Sequence, residues 1–461
     1  MEIFVREFDS RLLIALMAVA KGMEVVMGQK WLMEKNIEAM PPGLWIFKTM
    51  TLRDSKRMKR CKAAGHLVAS IDEEVPALAE GSGDLLWVSQ DAAEYCDTIM
   101  CLGEEHAKSL RTKWPHIADK LVLTGNPRWD YLRPELRDLY AAQAKEYRER
   151  YGRIILINTN SGNFNPAKKK PEDIYRDYVR DNKLDPSDET QMAFWKEYWA
   201  FEEANFHGAI DVARKLAATF PKHTIVLRPH PSEKLSTYAE KLADITNVRV
   251  LFEGAAAPWI FASEVLIHTD CTTGIEAYAL GKPSICFETI PSVLHDQLLS
   301  GRLSFIAKST DDVLREASRI VLSGADGVTY PADMHDVFYR FFAAQDGTLA
   351  TERVVEAAQN LLMAKVGSGD GDDRATWKPL SNYAAWWPTK SFRRKMFPPF
   401  NMPTLANRMQ LLTEMLQLRN MPAVAECGDS LIHLYPMGLK SPHAAGSAIT
   451  RAFKRIFAPT N

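Results

Sequence analysis

Short apolar runs alternate with amphipathic stretches along most of this chain, and many of the runs end in small or polar residues. In the first block, residues 2–8, 24–27, 44–48, 67–70, 98–102 and 121–124 read as strands, with a helix over 11–21. Residues 133–150 are charged and helical, a linker or domain-edge helix. A second block opens at Arg153 with IILINTN over 154–160 and continues through TIVL at 224–227, VLI at 265–267 and SICF at 284–287. Between these, 166–199 is long, charged and aromatic, a helical insertion. Alternation of this kind predicts an α/β protein with doubly wound parallel sheets. Two blocks predict two Rossmann-like domains, over 1–135 and 150–365. GSGDGDD at 367–373 reads as a linker, and 374–461 as a helical appendage with an amphipathic helix over 405–418.

Length and charge narrow the classes. A chain of 461 residues exceeds one ordinary core. A hydrophobic fraction of 46% and a charged fraction of 25% are those of a soluble globular protein. The net charge of -1 gives no electrostatic case for a nucleic-acid partner. The apolar run 12–20 is too short to span a bilayer, and it follows Glu7 and Asp9, unlike a signal peptide. Six cysteines without CxxC spacing suggest a reducing cytoplasm and no structural zinc.

The chemistry concentrates where strands end, which is where open parallel sheets bind ligands. After the 265–267 run come His268, Thr269, Asp270, Cys271, Thr272, Thr273 and Gly274, then a helix over 275–280 closed by Gly281 and Pro283. Thr272, Thr273 and Gly274 would present hydroxyls and backbone N–H groups to an anion, best a phosphate. Glu276, one turn on, suits sugar hydroxyls. After the 224–227 run stand Arg228, Pro229, His230 and Pro231; the prolines stiffen the turn, and Arg228 and His230 suit a phosphate. Asn160, Ser161 and Gly162 follow the 153 strand, either as a diphosphate cradle or as a plain Asn-rich turn. His268, Asp270 and His230 lack convincing metal-ligand spacing. Cys271 has no base partner to make it a nucleophile.

The RPHP and HTDCTTGIEA segments, in this order, resemble the HP motif and the Ser/Thr-rich motif of GT-B glycosyltransferases that use CMP-activated acidic sugars. Those families are the bacterial sialyltransferases and the Kdo transferases. The chain over about 1–365 resembles the surface carbohydrate biosynthesis protein family near them. The resemblance implies a GT-B fold, two Rossmann-like domains facing a cleft. It implies an inverting transfer of an acidic sugar, Kdo or nonulosonate, from a CMP-sugar to a surface polysaccharide acceptor, with no metal and no cofactor beyond the nucleotide-sugar substrate. Arg228, His230, Pro231, His268, Thr272, Thr273, Gly274, Glu276 and Asn160–Gly162 would form the donor site, with His230 assisting departure of CMP.

The same resemblance places a general base among Asp72, Glu73 and Glu74, after the 67–70 strand. Crowded carboxylates there should raise one another's proton affinity; the bland reading is an acidic helix start. Glu7 and Arg11 read either as acceptor-side residues or as a surface ion pair. Asn126 and Arg128 read as cleft contacts, with Gly125 and Pro127 as structural turn residues. The acceptor would be a glycan or lipid-linked glycan. Aromatic and basic residues over 386–400 (Trp386, Trp387, Phe392, Arg393, Arg394, Lys395, Phe397) offer peripheral contact with the inner face of the cytoplasmic membrane, or simply pack on the body. Alternatives are a CDP-glycerol or CDP-ribitol phosphotransferase, a UDP-sugar epimerase, and an inactive glycan-binding or scaffold subunit.

Overall fold

In a computed structural model residues 4–8 are helical, where a strand was expected over 2–8. The structure describes residues 1, 4–73, 88–180, 184–324, 327–366, 398–419, 421–428 and 430–439. Helix α1 spans Phe4–Ala20. Phe8, Leu12, Leu16 and Val19 are buried at spacings of three and four, and Phe4 stacks on Phe8 with centroids 4.5 Å apart. That helical period extends upstream of the apolar run and overrides the strand reading of 4–8.

Among the described residues, one unit draws on 1–73, 88–136 and 339–439, and the other on 137–338. The first unit holds a parallel sheet in the order β2 (Leu44–Phe47), β3 (Leu67–Ile71), β4 (Thr98–Cys101) and β5 (Leu121–Leu123). Ile14 and Ala18 of α1 pack on Ala69, Ile71 and Met100, joined by Val354 and Val355 of the helix Ala350–Val366. Residues 339–366 therefore pack with the first unit, not with the second block as the boundary at 365 had it. Two glycines let this segment close. A Cβ on Gly103 would lie 2.2 Å from the Phe341 carbonyl oxygen, and one on Gly125, at φ +77°, 2.6 Å from that of Ala343. Asp130 then accepts from the Ala350 and Thr351 N–H groups at 2.9 and 2.8 Å, capping the helix start.

The appendage is helical over Met402–Met415 and continues as a hairpin, β12 (Ala423–Gly428) and β13 (Leu431–Tyr435). β13 pairs antiparallel with β1 (Val25–Gly28), so the second predicted strand lies in a separate three-stranded sheet, β1-β13-β12. Arg408 anchors the helix through Asp9 at 2.8 Å, and Phe400 lies against Phe4 and Phe8. The expectations for 386–397 and for the 367–373 linker lie outside the described residues.

The second unit is built on six parallel strands. Their order is β11 (Phe305–Ala307), β10 (Ser284–Phe287), β9 (Val265–His268), β6 (Arg153–Asn158), β7 (His223–Arg228), β8 (Val248–Val250). Ile155, Ile157, Ile225, Leu227, Val265 and Ile267 pack one face against the helix Glu189–Thr219. Ile154, Leu156, Val226 and Leu266 are equally buried on the other face, which is why these strands read as continuous apolar runs. The insertion resolves into two helices, Pro171–Arg180 and the first turns of Glu189–Thr219, the latter capped by Asp188.

Candidate functional site

Three central strands of the second sheet end in polar residues at one register. Asn158 of β6 stands beside Arg228 of β7 and His268 of β9. All three lie on the face opposite the Glu189–Thr219 helix, by the alternation of each strand. Asn158 is 3% exposed, yet neither its Nδ2 nor its Oδ1 has a hydrogen-bond partner. The Arg228 Nε and the Thr269 Oγ1 are likewise buried and unpartnered. Native interiors rarely leave such groups unsatisfied. Their concentration at the carboxyl edge of a parallel sheet is what a site for a polar ligand would show.

Arg228 donates from Nη2 to the Gly254 carbonyl at 2.8 Å, and its guanidinium lies 5.0 Å from the centre of the Phe252 ring. Burial pulls its pKa down to about 10, against the opposing influence of Tyr147, Glu276 and Cys271. Glu276, 6% exposed, thus belongs to the same electrostatic neighbourhood as Arg228. His230 and Pro231 stand exposed on the loop after β7. The His230 Nδ1 lies 2.6 Å from the Ser232 hydroxyl.

A residue that sequence reasoning missed organises this loop. Glu233 is 4% exposed and accepts from the Thr159 hydroxyl at 2.7 Å, the His230 N–H at 2.9 Å and the Tyr238 hydroxyl at 2.5 Å. Burial raises its pKa, against these hydrogen bonds. One carboxylate therefore ties the loop after β6 to the loop after β7. Gly162 completes the join, since a Cβ there would meet the Ser232 Oγ at 2.1 Å. Asn160 is exposed beside it, and Ser161 is buried. The three-residue spacing between His230 and Glu233 was visible, but a loop carboxylate has no sequence mark of burial.

The turn after β9 differs from its expectation in two respects. His268 is fully buried, with Nε2 2.9 Å from the Ser304 hydroxyl and Nδ1 accepting from the Cys271 N–H. Burial lowers its pKa to about 4. Its ring packs under Gly274, where a Cβ would come within 2.3 Å of Nε2. His268 supports the turn from beneath and does not face a ligand. The Gly274 N–H is engaged by the Cys271 carbonyl at 2.9 Å, so it is not a free donor as expected. Thr272 is exposed and Thr273 half-buried at the start of the short helix Thr273–Ala279.

Asp270 holds this turn at φ +51°, and its Oδ2 lies 2.5 Å from the His295 Nδ1. The other imidazole nitrogen meets the Ile290 carbonyl at 2.8 Å. Burial opposes protonation of His295, but the hydrogen bond and charge of Asp270 outweigh it and raise its pKa. Cys271 is buried, and burial raises its thiol pKa, the opposite of an activated nucleophile.

In the first unit a second charged group gathers at the ends of β2 and β3. Glu73, 4% exposed, accepts from the Arg11 Nη2 at 2.5 Å. Glu7, 1% exposed, accepts from the Lys48 Nζ at 3.1 Å. Asp72 is also buried. Glu7 and Arg11 share one face of α1 a turn apart, so the structure unites them with Glu73, and the surface-pair reading fails on burial. The expected crowding of carboxylates gives way to cation pairing. The Arg11 Nη1 is buried without a partner. Glu74 lies outside the described residues. Asn126 is buried and caps the short helix Pro127–Asp130, its Oδ1 accepting from the Arg128 N–H at 3.0 Å. That is a structural role, not the contact expected of it. Arg128 is half-buried beside it.

No helix among the described residues is long and apolar enough to cross a membrane. No family model matches the chain, and no curated protein matches it in sequence. Solved structures do resemble its backbone. A UDP-N-acetylglucosamine 2-epimerase is 13% identical, with a TM-score of 0.44, over 80% of this chain and 80% of that one. The UDP-GlcNAc 2-epimerase of Neisseria meningitidis, bound to UDP-GlcNAc, is 12% identical, with a TM-score of 0.41, over 73% and 79%. A variant of the wall teichoic acid polymerase TagF, soaked with CDPG, is 11% identical, with a TM-score of 0.43, over 70% and 73%. Likeness of this degree assigns no activity.

Proposed function

We propose that this chain is a GT-B glycosyltransferase that binds its nucleotide-sugar donor in the second unit. The observation that carries the reading is the row Arg228–Asn158 at the ends of β7 and β6, with buried polar atoms left unsatisfied beside two loops laced by Glu233. In this reading Asn158 and Arg228 bind the nucleotide part of the donor, and Glu276 takes a ribose hydroxyl. His230, with Pro231, contacts the phosphate and hydrogen-bonds the departing nucleotide. Thr272, Thr273 and the Asn160–Gly162 loop line the same edge. Charge-assisted hydrogen bonds of this kind stabilise a leaving phosphate most where charge develops.

The resemblance of RPHP and HTDCTTGIEA supports a CMP-linked acidic sugar as donor. The first unit then supplies the base, from Glu73 or Asp72, with Arg11 fixing the Glu73 carboxylate. Glu7 and Lys48 complete the acceptor side. The acceptor is a surface glycan, free or lipid-linked.

Titration calorimetry with CMP, CDP and UDP tests the donor assignment. CMP should bind, and bind better than the other two. Preference for CDP would favour a glycerol- or ribitol-phosphate transferase, and preference for UDP an epimerase-like chemistry. Binding of none of the three would overturn the nucleotide site itself.

A further inference from the structure

The insertion after β6 packs through aromatic rings, and the packing is incomplete. The helix Pro171–Arg180 carries Ile174, Tyr175, Tyr178 and Val179 at the spacing of one face, yet none of its residues is buried. Its rings meet the long helix Glu189–Thr219 at Trp195, whose ring centre lies 5.9 Å from that of Tyr175, 4.9 Å from Tyr178 and 5.8 Å from Trp199. Trp195 is 9% exposed, while Tyr175 and Trp199 are only half-buried. A space of about 480 Å³ opens between the two helices beside these rings. Glu172 and Tyr175 line it from the shorter helix, and Trp195, Lys196, Trp199, Ala200 and Glu203 from the longer. Those five recur at three- and four-residue steps, so they share a face. Ala200, exposed and small, is what leaves the room.

The polar groups around this space are uncommitted. The side chains of Glu172, Lys196 and Glu203 are exposed and form no hydrogen bond or ion pair among the described residues, and the Trp199 indole N–H has no partner there either. The helix behind them is firmly held. Glu202, 4% exposed, accepts from the Asn163 and Phe164 N–H groups at 2.8 and 2.9 Å, and the Asn163 side chain donates to the Tyr198 hydroxyl at 2.6 Å. Phe164 in turn meets the Trp199 ring edge-on, with centres 5.8 Å apart. The pocket is thus fixed to the loop after β6, three residues along from Asn160, and contains none of the residues assigned to the donor.

We propose that this pocket is a saccharide subsite, which holds a neutral or amino-sugar unit of the glycan apart from the reacting centre. That the occupant belongs to a glycan rests on the function proposed above; that it is a sugar rests on the walls. The face of an aromatic ring carries partial negative charge. The C–H groups on one face of a pyranose carry partial positive charge, so the two stack. Rings already locked by packing lose little freedom in doing so. Sugar hydroxyls both donate and accept, and the pocket offers both partners. Glu172 and Glu203 accept, while Lys196 and the Trp199 N–H donate. Two carboxylates against one ammonium leave net negative charge, which disfavours an acidic sugar. A quaternary ammonium ion needs rings closed around it. Here Trp195 is tilted by 56° to Tyr175 and by 36° to Trp199, and Lys196 opposes a cation.

Calorimetric titration of the full chain with maltotetraose, an N-acetylglucosamine tetramer, a glucosamine tetramer, a sialic acid tetramer and phosphocholine tests the proposal, with CMP titrated separately. At least one neutral or amino-sugar tetramer should bind, at least threefold more tightly than the sialic acid tetramer. Ala200→Leu fills the space without removing a packed ring. It should weaken that binding at least tenfold and leave CMP affinity within twofold. The Glu172→Gln/Glu203→Gln double variant should bring the sialic acid tetramer within twofold of the neutral one. Absence of binding by every tetramer overturns the subsite, as does binding that Ala200→Leu leaves unchanged. Phosphocholine bound more tightly than any sugar overturns it by showing a cation cage. Self-association that Ala200→Leu abolishes, with no sugar bound, overturns it by showing a second copy in the pocket. Sugar binding lost in Ala200→Leu, in a chain that binds no nucleotide, would uphold the subsite and remove the glycosyltransferase reading; CMP binding without any sugar binding would do the reverse.

Discussion

At the scale of single residues, the second unit's site places function and stability in opposition. Asn158 keeps two polar atoms buried without partners, an arrangement that costs about 1–3 kcal/mol where no ligand satisfies it. Asn158→Leu should therefore raise the unfolding free energy in denaturant titration by roughly that much and at the same time weaken CMP binding measurably. Lower stability, or unchanged affinity, would remove Asn158 from the site. The Asp270–His295 pair makes a second, pH-dependent prediction. His295 has a folded pKa raised above its ordinary 6.5, so the folded state holds a proton that the unfolded state releases more readily. The pair's contribution is full below pH 6.5 and fades as pH rises through the raised folded value. Thermal midpoints of the parent and of His295→Gln should differ most below pH 6.5 and converge above it. A gap that is constant across pH 5.5–8.5 would show that His295 acts by packing alone.

At the scale of elements, strands buried on both faces were legible because nothing else produces short continuous apolar runs between turns. β2 to β7, β9 and β10 fall within a residue or so of their expected bounds. α1 was misread at its start because residues 4–8 mix apolar and charged positions, and only burial shows that the helical period wins. Asn158 and Glu233 were missed for a related reason. A polar residue at the end of an apolar run, or three residues past a His-Pro turn, looks like loop until its surroundings are known. The return of 339–366 to the first unit was illegible, since an amphipathic helix records that it packs and not on which sheet. Gly103 gives that return a test. A Cβ there would overlap the Phe341 backbone at 2.2 Å, and backbone cannot move as a side-chain tip can. Gly103→Ala should cost about 1–3 kcal/mol of stability and expose the 339–366 segment to limited proteolysis. Cleavage no faster than in the parent would mean that the segment is held elsewhere.

At the scale of the whole molecule, the two units carry different chemistry. The second gathers unsatisfied polar groups and an exposed histidine; the first gathers buried carboxylates held by cations. A transferase of the proposed kind needs both, so nucleotide binding and turnover should separate by unit. His230→Ala should weaken CMP binding by roughly 1.5–3 kcal/mol, the range of a hydrogen bond to a charged group. Glu73→Gln should leave CMP affinity intact and cut transfer from a CMP-sugar panel by roughly 10²–10⁴-fold, the contribution of a general base. That result alone would not separate chemistry from charge balance, because Glu73→Gln leaves the half-buried Arg11 guanidinium without its carboxylate partner. Breaking a buried pair from one side costs roughly 3–5 kcal/mol. The Arg11→Gln/Glu73→Gln double variant removes both charges and should regain much of the lost stability. If Glu73 is the base, the double variant is stable, binds CMP and still fails to transfer. If transfer returns with stability, Glu73 only balances Arg11, and Asp72 becomes the carboxylate to test.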